Sequence, residues 1–477
     1  DPQRVQLMTE RTDRALAVAA GIMFSISAPA SALVRETPAR FSLNLSNSGN
    51  RTVQIMKLTF EGWGDNVPLE AADVLSADSE TITPVDLVTP AKATITVPKA
   101  EHLYDGRVLG HRFAAHAQLE IDGAKFSVKA QKSLDVVPAV EIANISPSPC
   151  VGTDETVWRC QGFKVTLINH LGKPFAGGLT YTTTQGQNVR ENTRQIALAP
   201  LETRAEGFSN SDSRPPRETI RQERQSGSVV VSINPPNLRA PAFDRTHSIS
   251  TRTVNITYVD ARVAKALRVG YVPSFDKTLE QSLDALGVPS EKLTVDQIQE
   301  GALTSYKTII LDNRAYYAHP ELIRANSRLF SFVQEGGTLV VFYHKDSEWN
   351  PNPDRGRPQL APYPIILGDE RVTEEVAPIK FLQPRHAILN YPNKIRSADF
   401  NNWIQERGLY YPKEWDSQYT ALLASNDKGE KPLRGGLLVA RYGRGNYIFT
   451  SMVWYRQLAA GVPGAYRMLA NMISYGH

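Results

Sequence analysis

The sequence predicts two β-sandwiches followed by a doubly wound α/β domain. Two changes of hydrophobic pattern lead to this prediction: apolar residues alternate with a period of two after Gly21, and strands alternate with helices after Ala261. At 477 residues the chain has room for about three domains, and its 41% apolar and 21% charged residues are typical of globular proteins. We place the boundaries at residues 1–21 (a connecting helix), 22–138, 139–259 and 260–477.

The connecting helix is predicted over residues 8–20. Leu7, Ala15 and Val18 lie on one face at helical spacing, and Gly21 ends the pattern. Isolated helices of ~12–15 residues are marginally stable, so this apolar stripe has to pack against another part of the protein. The first sandwich is one candidate for that surface.

The first sandwich is predicted from short strands separated by turns. Residues 41–46 alternate between apolar and polar side chains, residues 47–50 form a turn, and alternation returns at residues 93–97 and 117–121. Asp122-Gly123 then turns the chain into a further strand at residues 126–128. Because no helical stretch interrupts these strands, they indicate an immunoglobulin-like β-sandwich.

The second sandwich repeats the pattern at residues 163–169 and 178–182 and runs to about Tyr258. It includes a polar segment at residues 209–227 with two prolines and four arginines, which we interpret as a loop or insertion. Its basic residues are compatible with anion binding, but a solvated loop is the simpler interpretation.

The two cysteines of the chain, Cys150 and Cys160, lie close together in the sequence. Gly152 and Asp154 between them favour a turn, which suits a disulfide closing a hairpin-like loop. A disulfide would indicate an oxidising compartment, and hence an exported protein. The alternative is a pair of unrelated free thiols, and a metal site would require further ligands nearby.

The α/β domain is predicted from a succession of strands and helices. Strands are expected at residues 267–272, 306–311 and 338–342, and helices at residues 277–286 and 320–334. This order predicts a parallel sheet with helices on both faces. A last helix is expected at residues 465–474, where the backbone at Gly464 is a weak candidate for anion binding because no P-loop lysine accompanies it.

Two later stretches resemble a known family. They read FNNWIQERGLYY at residues 400–411 and RGGLLVARYGRG at residues 434–445. They resemble the C-terminal half of large bacterial PIG-L (LmbE-like) deacetylases, in which a zinc-dependent N-acetylglucosaminyl deacetylase domain precedes β-sandwiches and an amidotransferase-like α/β domain. The His-Pro-Asp-Asp-Glu run and the His-x-x-His pair of the zinc domain do not occur in this sequence.

This resemblance implies a function without catalysis. The chain would be the accessory, assembly or substrate-presenting half of an exported carbohydrate deacetylase. Zinc would be held only in the deacetylase domain, and this chain would need no cofactor. The implied partners are a PIG-L-type deacetylase domain or subunit, carbohydrate, and a second copy of the chain. The resemblance implies that the deacetylase domain packs against the apolar stripe of the connecting helix.

The α/β domain resembles the class I glutamine amidotransferase-like domains. Active members place a cysteine nucleophile on a glycine-rich turn between strand and helix, with a histidine downstream. Here no cysteine follows Cys160, and the corresponding turn reads Phe342-Tyr343-His344-Lys345. Since this hydrolysis requires a thiolate and a base, we interpret the domain as a pseudoenzyme.

A candidate binding crevice follows from the strand ends, because ligands of open α/β sheets lie beyond the carboxyl ends of the strands. Arginine and aromatic side chains at these ends and in the family motifs suit a sugar ligand. The second hypothesis for the chain is therefore an independent carbohydrate-binding protein that uses this crevice. The alternative is that they fix long loops or form an interface, with Arg407 pairing with Glu406 or Asp416. The candidate residues are Asp312, Arg314, Tyr316, His344, Trp403, Gln405, Arg407, Tyr410, Tyr455 and Arg456.

Other classes of function find less support in the sequence. A metal held by His344, Asp312 and Asp346 lacks a closely spaced ligand pair, and a hydrolase using His344 remains an alternative. With 53 basic and 49 acidic residues, the chain is not expected to bind nucleic acid. No apolar run approaches the ~20 residues of a membrane span.

Overall fold

The computed structural model describes residues 2–28, 32–70, 72–96, 110–156, 160, 162–185, 188–209, 227–235 and 249–477. Helix α1 spans Pro2–Ala19 and begins earlier than predicted. Proline is tolerated in the first turn of a helix, and residues 3–7 contain no helix breaker. Gly21, with φ of +70°, ends the helix as predicted.

The first sandwich consists of two sheets that share one core. The strands are β1 (Ile22–Ser27), β2 (Ala32–Val34), β3 (Pro38–Asn47), β4 (Val53–Glu61), β5 (Asn66–Leu69), β6 (Val74–Leu75), β7 (Ser79–Val88), β8 (His111–Ile121) and β9 (Ala124–Val137). One sheet has the order β1-β3-β7 and the other β2-β9-β8-β4-β5, with β6 paired to β4. Phe41 of β3 meets Phe60 and Phe113 of the facing sheet, with ring centroids 5.5 and 4.8 Å away. The β-sandwich prediction is confirmed here.

The predicted strand at residues 93–97 was wrong. Residues 93–96 have no regular strand structure, and Val97 lies outside the described residues. Thr96 still exchanges two hydrogen bonds with Val136 at the edge of β9, one of them through its side chain. The alternating pattern at residues 93–96 therefore corresponds to a contact of one residue with β9 and not to a paired β-strand. The predicted turn at Asp122-Gly123 is present, with positive φ at both residues.

Helix α1 packs on the first sandwich along a narrow line. Of residues 3–19, whose side chains the structure describes, only Ala17 is buried. The packing of Leu7, Ala15 and Val18 on the first sandwich, one of two alternatives, was wrong, because all three side chains are exposed. Their packing against a deacetylase domain stays a prediction. A small alanine lets the helix approach β9 closely, and the larger apolar side chains flank this contact without being covered.

The second sandwich is also formed by two sheets. The strands are β10 (Val140–Ser146), β11 (Cys150–Gly152), β12 (Gly162–Asn169), β13 (Phe175–Gln185), β14 (Asn188–Leu198), β15 (Thr203–Ser209), β16 (Gly227–Asn234) and β17 (Ser250–Tyr258). Their orders are β10-β12-β15 and β11-β17-β16-β13-β14. The predicted loop at residues 209–227 lies outside the described residues except for its two ends, which belong to β15 and β16.

The predicted disulfide is confirmed: Cys150 is bonded to Cys160, with a Cα–Cα distance of 5.6 Å. The loop that it closes touches the α/β domain, because the Thr156 hydroxyl donates to the Ala285 carbonyl at 2.5 Å. Val151 of β11 also belongs to a hydrophobic core of the α/β domain. The second sandwich and the α/β domain are therefore packed together at this seam.

The α/β domain contains the remaining regular elements. The strands are β18 (Val269–Val272), β19 (Ser290–Lys292), β20 (Thr308–Leu311), β21 (Thr338–Val341), β22 (Ile365–Leu367), β23 (Arg371–Val372), β24 (Lys380–Phe381), β25 (Gly408–Leu409), β26 (Pro412–Trp415), β27 (Thr420–Ser425), β28 (Leu433–Tyr442) and β29 (Gly445–Thr450). The helices are α2 (Thr278–Ala285), α3 (Val295–Glu300), α4 (Ala315–Ala318), α5 (Asn326–Gln334), α6 (Asp346–Trp349), α7 (Trp454–Ala459) and α8 (Pro463–Ser474). The predicted helix at residues 320–334 is divided into a 3₁₀ turn, Pro320–Ala325, and α5.

The main sheet has the order β19-β18-β20-β21-β29-β28-β27-β24. Its first five strands are parallel, and the last three are joined in antiparallel pairs. Ile310 faces the core that contains residues of α2 and α8, whereas Ile309 and Leu311 face the core with residues of α3 and α5. Helices therefore cover both faces, as predicted.

Among the described residues, no helix is both long and apolar enough to cross a membrane.

Candidate functional site

The candidate site lies at the carboxyl ends of the parallel strands, where four loops meet one edge of the sheet. Val272 pairs with Leu311, Leu311 with Val341, and Val341 with Phe449, so the ends of β18, β20, β21 and β29 are level. The next strand in the chain after β18, β19, pairs with one side of β18, and the strand after that, β20, pairs with the other side. The direction of winding therefore reverses between β18 and β20, and such switch points are where open α/β sheets bind ligands.

Asp312 ties together the loops that follow β18 and β20. Its buried carboxylate accepts hydrogen bonds at Oδ2 from the hydroxyl and the backbone N–H of Ser274, at 3.0 and 3.3 Å. Its Oδ1 accepts from the backbone N–H of Asn313 at 2.8 Å. Burial raises the pKa of Asp312 to about 7, although the hydrogen bonds oppose that shift.

Arg314 follows in the same loop with a left-handed backbone, at φ +56°. Its Nε lies 3.0 Å from both carboxylate oxygens of Glu348, and its Nη2 also donates to Glu348. Both side chains of this ion pair are largely buried. The guanidinium carbon lies 5.3 Å from the ring centroid of Phe275 and 4.6 Å from that of Tyr317. Arg314 is thus locked between one carboxylate and two aromatic rings.

Tyr316 and His344 form part of the core and do not line a crevice. Tyr316 is 4% exposed, and its hydroxyl donates to Asn326 Oδ1 at 2.6 Å. His344 is fully buried; its Nδ1–H donates to the Phe342 carbonyl at 2.8 Å, and its Nε2 accepts the backbone N–H of Tyr316 at 3.2 Å. Burial lowers the pKa of His344 to about 3, so the ring is neutral. The sequence-based placement of these two residues at the crevice surface was wrong.

Trp403 and Arg407 lie in a buried region beside the ends of β21 and β29. Arg407 is 4% exposed; its Nε donates to the Ala377 carbonyl at 3.0 Å and its Nη1 to the Phe400 carbonyl at 2.5 Å. Its guanidinium carbon lies 5.2 Å from the ring of the buried Trp403. Desolvation lowers the pKa of Arg407 to about 10. Within the described part of the chain, Arg407 pairs with backbone carbonyls and makes no ion pair with a carboxylate, which corrects the proposed pairing with Glu406 or Asp416.

Arg456 is the residue that pairs with Glu406, at 2.9 Å, and both side chains are largely buried. Burial raises the pKa of Glu406, and Arg456 opposes this shift. The Tyr343 ring stacks near those of Tyr455 and Tyr410, with centroids 5.5 and 6.3 Å away. Of these residues, Tyr410 is half-buried and the other two tyrosines are buried.

Gln405 lies at the rim of this region. It is half-buried with φ of +65°, and its backbone N–H donates to Glu375 Oε1 at 2.6 Å. The ten predicted residues therefore divide into two groups: Asp312 and Arg314 lie at the switch point, and the others lie in or against the core.

Two exposed aromatic residues at the switch point escaped the sequence-based prediction. Phe275 lies in the loop after β18, and Tyr317 lies one residue beyond the predicted Tyr316. Phe275 lies three residues after the predicted strand at residues 267–272. That position could have indicated it, but the prediction used only the two later strand ends. No comparable signal distinguishes Tyr317 from Tyr316, since both follow the same strand.

A metal site is not formed by the predicted residues. Among the described residues, no three His, Cys, Asp or Glu side chains are grouped so that they could share a metal ion. Both ring nitrogens of His344 already bond to the backbone. At Gly464 a Cβ atom would lie 1.7 Å from the Asp399 carbonyl oxygen, so the chain packs closely against the start of α8 and leaves no room for a side chain there.

Comparisons with known proteins do not identify a family. No family model and no curated protein matches the chain. Among solved structures, partial matches include a β-galactosidase from Rahnella sp. R3 (16% identity, 43% of this chain and 31% of that chain, TM-score 0.28). A transglutaminase from red sea bream (14%, 51% and 33%, TM-score 0.23) and an exo-β-1,4-mannosidase from Opitutaceae bacterium strain TAV5 (12%, 44% and 36%, TM-score 0.27) are further examples. The chain spans about a third of the length of each, and likenesses at this level establish nothing about activity.

Proposed function

We propose that the chain is the non-catalytic accessory half of an exported PIG-L-type carbohydrate deacetylase, with two immunoglobulin-like sandwiches and an amidotransferase-like α/β domain. The motifs at residues 400–411 and 434–445 support this family relationship. The strand order and the helices on both faces of the main sheet are compatible with an amidotransferase-like domain. The Cys150–Cys160 disulfide supports an exported protein.

The observation that carries the proposal is the burial and hydrogen bonding of the His344 ring. His344 lies in the turn where an active relative would hold its nucleophile. A general base needs a ring nitrogen that can reach a proton of the nucleophile or of water. In His344 one nitrogen donates to the Phe342 carbonyl, the other accepts from the Tyr316 backbone, and the ring is fully buried. This bonding also argues against the alternative of a hydrolase that uses His344.

The apolar face of α1 supports the accessory role. Val5, Met8 and Leu16 are exposed, and together with Arg4, Thr9, Thr12, Asp13 and Lys125 they line an open groove of about 520 Å³. An 18-residue helix with one buried side chain gains little stability from its own domain. We therefore infer that the deacetylase domain packs against this groove.

Co-purification tests the assembly. Residues 1–477 would be co-expressed with a PIG-L-type deacetylase domain of the same genome, and capture of one should recover the other in equal amounts. Deletion of residues 1–20, or the combined change Val5→Gln, Met8→Gln and Leu16→Gln, should abolish recovery. Arg11→Gln with Arg14→Gln, which alters exposed positions of α1 outside the groove, is the matched control and should leave recovery unchanged. Equal recovery with the groove variant would refute this role of α1.

Metal analysis and an activity assay test the absence of catalysis. The chain alone should bind no stoichiometric zinc and should not deacetylate N-acetylglucosamine derivatives, because the described residues contain no suitable ligand cluster. One tightly held zinc per chain together with deacetylase activity would overturn the proposal.

A further inference from the structure

Two aromatic side chains stand exposed at the switch point of the main sheet. Phe275 is 42% exposed and lies in the loop after β18, and Tyr317 is 57% exposed and lies in the short helix α4 that follows β20. The winding reverses between these two strands. The centroids of the two rings are 6.2 Å apart. The two rings lie at a switch point, the place where open α/β sheets bind ligands, and this location points to a binding role.

Arg314 and Glu348 fix the positions of the two rings. Each contacts the guanidinium of Arg314, which the largely buried Glu348 fixes through bonds to Nε and Nη2. The loop that carries Phe275 is joined to the loop that leads into α4 by the bonds between Ser274 and Asp312. A surface whose side chains are already fixed loses little conformational entropy when a ligand binds.

The charges around the rings favour a neutral ligand. Glu348 neutralises Arg314, and the exposed Asp276 is adjacent to the exposed Lys277. Neither loop contains glycine: residues 273–277 read Pro-Ser-Phe-Asp-Lys and residues 312–318 read Asp-Asn-Arg-Ala-Tyr-Tyr-Ala. The glycine-rich backbone that typically surrounds a phosphate is therefore missing from these two sequences.

An exposed carboxylate, Asp276, directly follows Phe275 in the chain. The Asp276 carboxylate accepts the backbone N–H of Thr278 at Oδ1, at 2.8 Å, and a carboxylate has about four acceptor positions. An aromatic face combined with an exposed carboxylate matches a pyranose ring, which has an apolar C–H face and hydroxyl donors at its rim.

We propose that Phe275 and Tyr317 form a binding surface for a neutral pyranose unit of an oligosaccharide, with Asp276 accepting hydrogen bonds from sugar hydroxyls. The sugar packs its C–H face on the exposed parts of the two rings. This site does not depend on the accessory role, because it is complete within the α/β domain and lies on a different domain from α1.

Titration with defined oligosaccharides tests the site. Cellohexaose, maltohexaose, xylohexaose and N-acetylchitohexaose would be added to the full chain, with calorimetry and saturation-transfer NMR as readouts. At least one should bind, and its Kd should rise tenfold or more in Tyr317→Ala and in Phe275→Ala. Tyr391→Ala removes an aromatic ring of similar exposure, 51%, outside the two loops and should leave the Kd unchanged.

Two results would overturn the proposal. One is the absence of binding by the wild-type chain to all four hexasaccharides. The other is binding that survives both substitutions, which would place the sugar elsewhere. Asp276→Asn adds a further check, since it keeps the shape of the side chain: it should weaken binding less than loss of a ring does, and an increase in affinity would contradict the assigned role. Loss of sugar binding here would leave the co-purification result untouched, so the two proposals fail separately.

Discussion

Two regions along the carboxyl edge of the sheet have similar side chains but opposite environments. At the switch-point edge (residues 273–277 and 312–317), aromatic rings are exposed over a fixed Arg314. At the buried edge (Tyr343, Trp403, Arg407, Tyr455 and Arg456), the aromatic rings and the Arg407 guanidinium are buried, and the Arg456 guanidinium is largely buried. Arginine–aromatic contacts occur in both regions, at 4.6 Å between Arg314 and Tyr317 and at 5.2 Å between Arg407 and Trp403. Residue type alone therefore does not separate a binding surface from a structural cluster; exposure does.

The largest test of this difference compares one aromatic ring from each region. Trp403→Ala removes a buried ring and should lower the free energy of unfolding by about 4 kcal/mol. Tyr317→Ala removes an exposed ring and should change it by no more than about 0.5 kcal/mol. Urea unfolding followed by circular dichroism measures both. Equal losses in the two variants would show that the regions do not differ as described.

Asp312 should make the stability of the folded protein depend on pH. Its pKa is raised from 3.8 to about 7 in the folded protein, so folding favours the protonated form and stability falls as the pH rises from about 4 to about 7. Between pH 5 and pH 7 this amounts to about 3 kcal/mol, at ~1.4 kcal/mol per pH unit. Asp312→Asn should remove the decrease, so that the variant gains stability relative to wild type over this range. A constant difference between the two proteins across this range would contradict the raised pKa.

His344, three residues after β21, should make stability depend on pH in the opposite direction. Its pKa is lowered from 6.5 to about 3, so folding favours the neutral ring, and this contribution is lost as the pH falls below 6.5. From pH 6.5 to pH 5 the loss is about 2 kcal/mol. The His344→Gln variant should not show this loss. In the wild type the two pH dependences of stability oppose each other. His344→Gln should therefore show the decrease due to Asp312, and Asp312→Asn should show the loss due to His344. Nitrogen NMR of the wild-type imidazole checks this without mutation: a neutral ring protonated at Nδ1 is expected at pH 5, and an imidazolium would refute it.

The smallest effect concerns the bond between the two switch-point loops. Ser274→Ala removes the hydroxyl that donates to Asp312 Oδ2 and should cost about 1 kcal/mol at pH 8. It should also raise the pKa of Asp312 further, because a hydrogen bond to the charged form is lost. Ser331→Ala, on the exposed side of α5, is the control in the same unfolding measurement. An equal cost for both variants would mean that the Ser274 bond does not stabilise the ionised carboxylate.

The prediction from sequence succeeded where a repeating pattern was sufficient. The alternation at residues 41–46 became β3, whose Phe41 and Leu43 are buried, and the apolar run at residues 306–311 became β20, whose four residues are all buried. The spacing of the two cysteines correctly indicated their bond. These features depend on near neighbours in the chain, which the sequence shows directly.

The prediction failed where a residue's environment depends on distant segments. Tyr316 and Tyr317 are adjacent and of the same type, yet one bonds to Asn326 in the core and the other is exposed. Likewise, Arg407 finds its partners in the carbonyls of Ala377 and Phe400, although Glu406 precedes it in the sequence. Neither outcome follows from periodicity or spacing.

The sequence by itself determined the succession of two sandwiches and a parallel α/β sheet, because the periods of apolar residues reflect the geometry of strands and helices. The disulfide was equally evident from the positions of the two cysteines. Only the tertiary structure decided which polar and aromatic side chains are enclosed, because burial depends on how segments far apart in the chain pack together. It placed the reversal of winding between β18 and β20, brought Phe275 beside Tyr317, and enclosed His344 between two backbone groups.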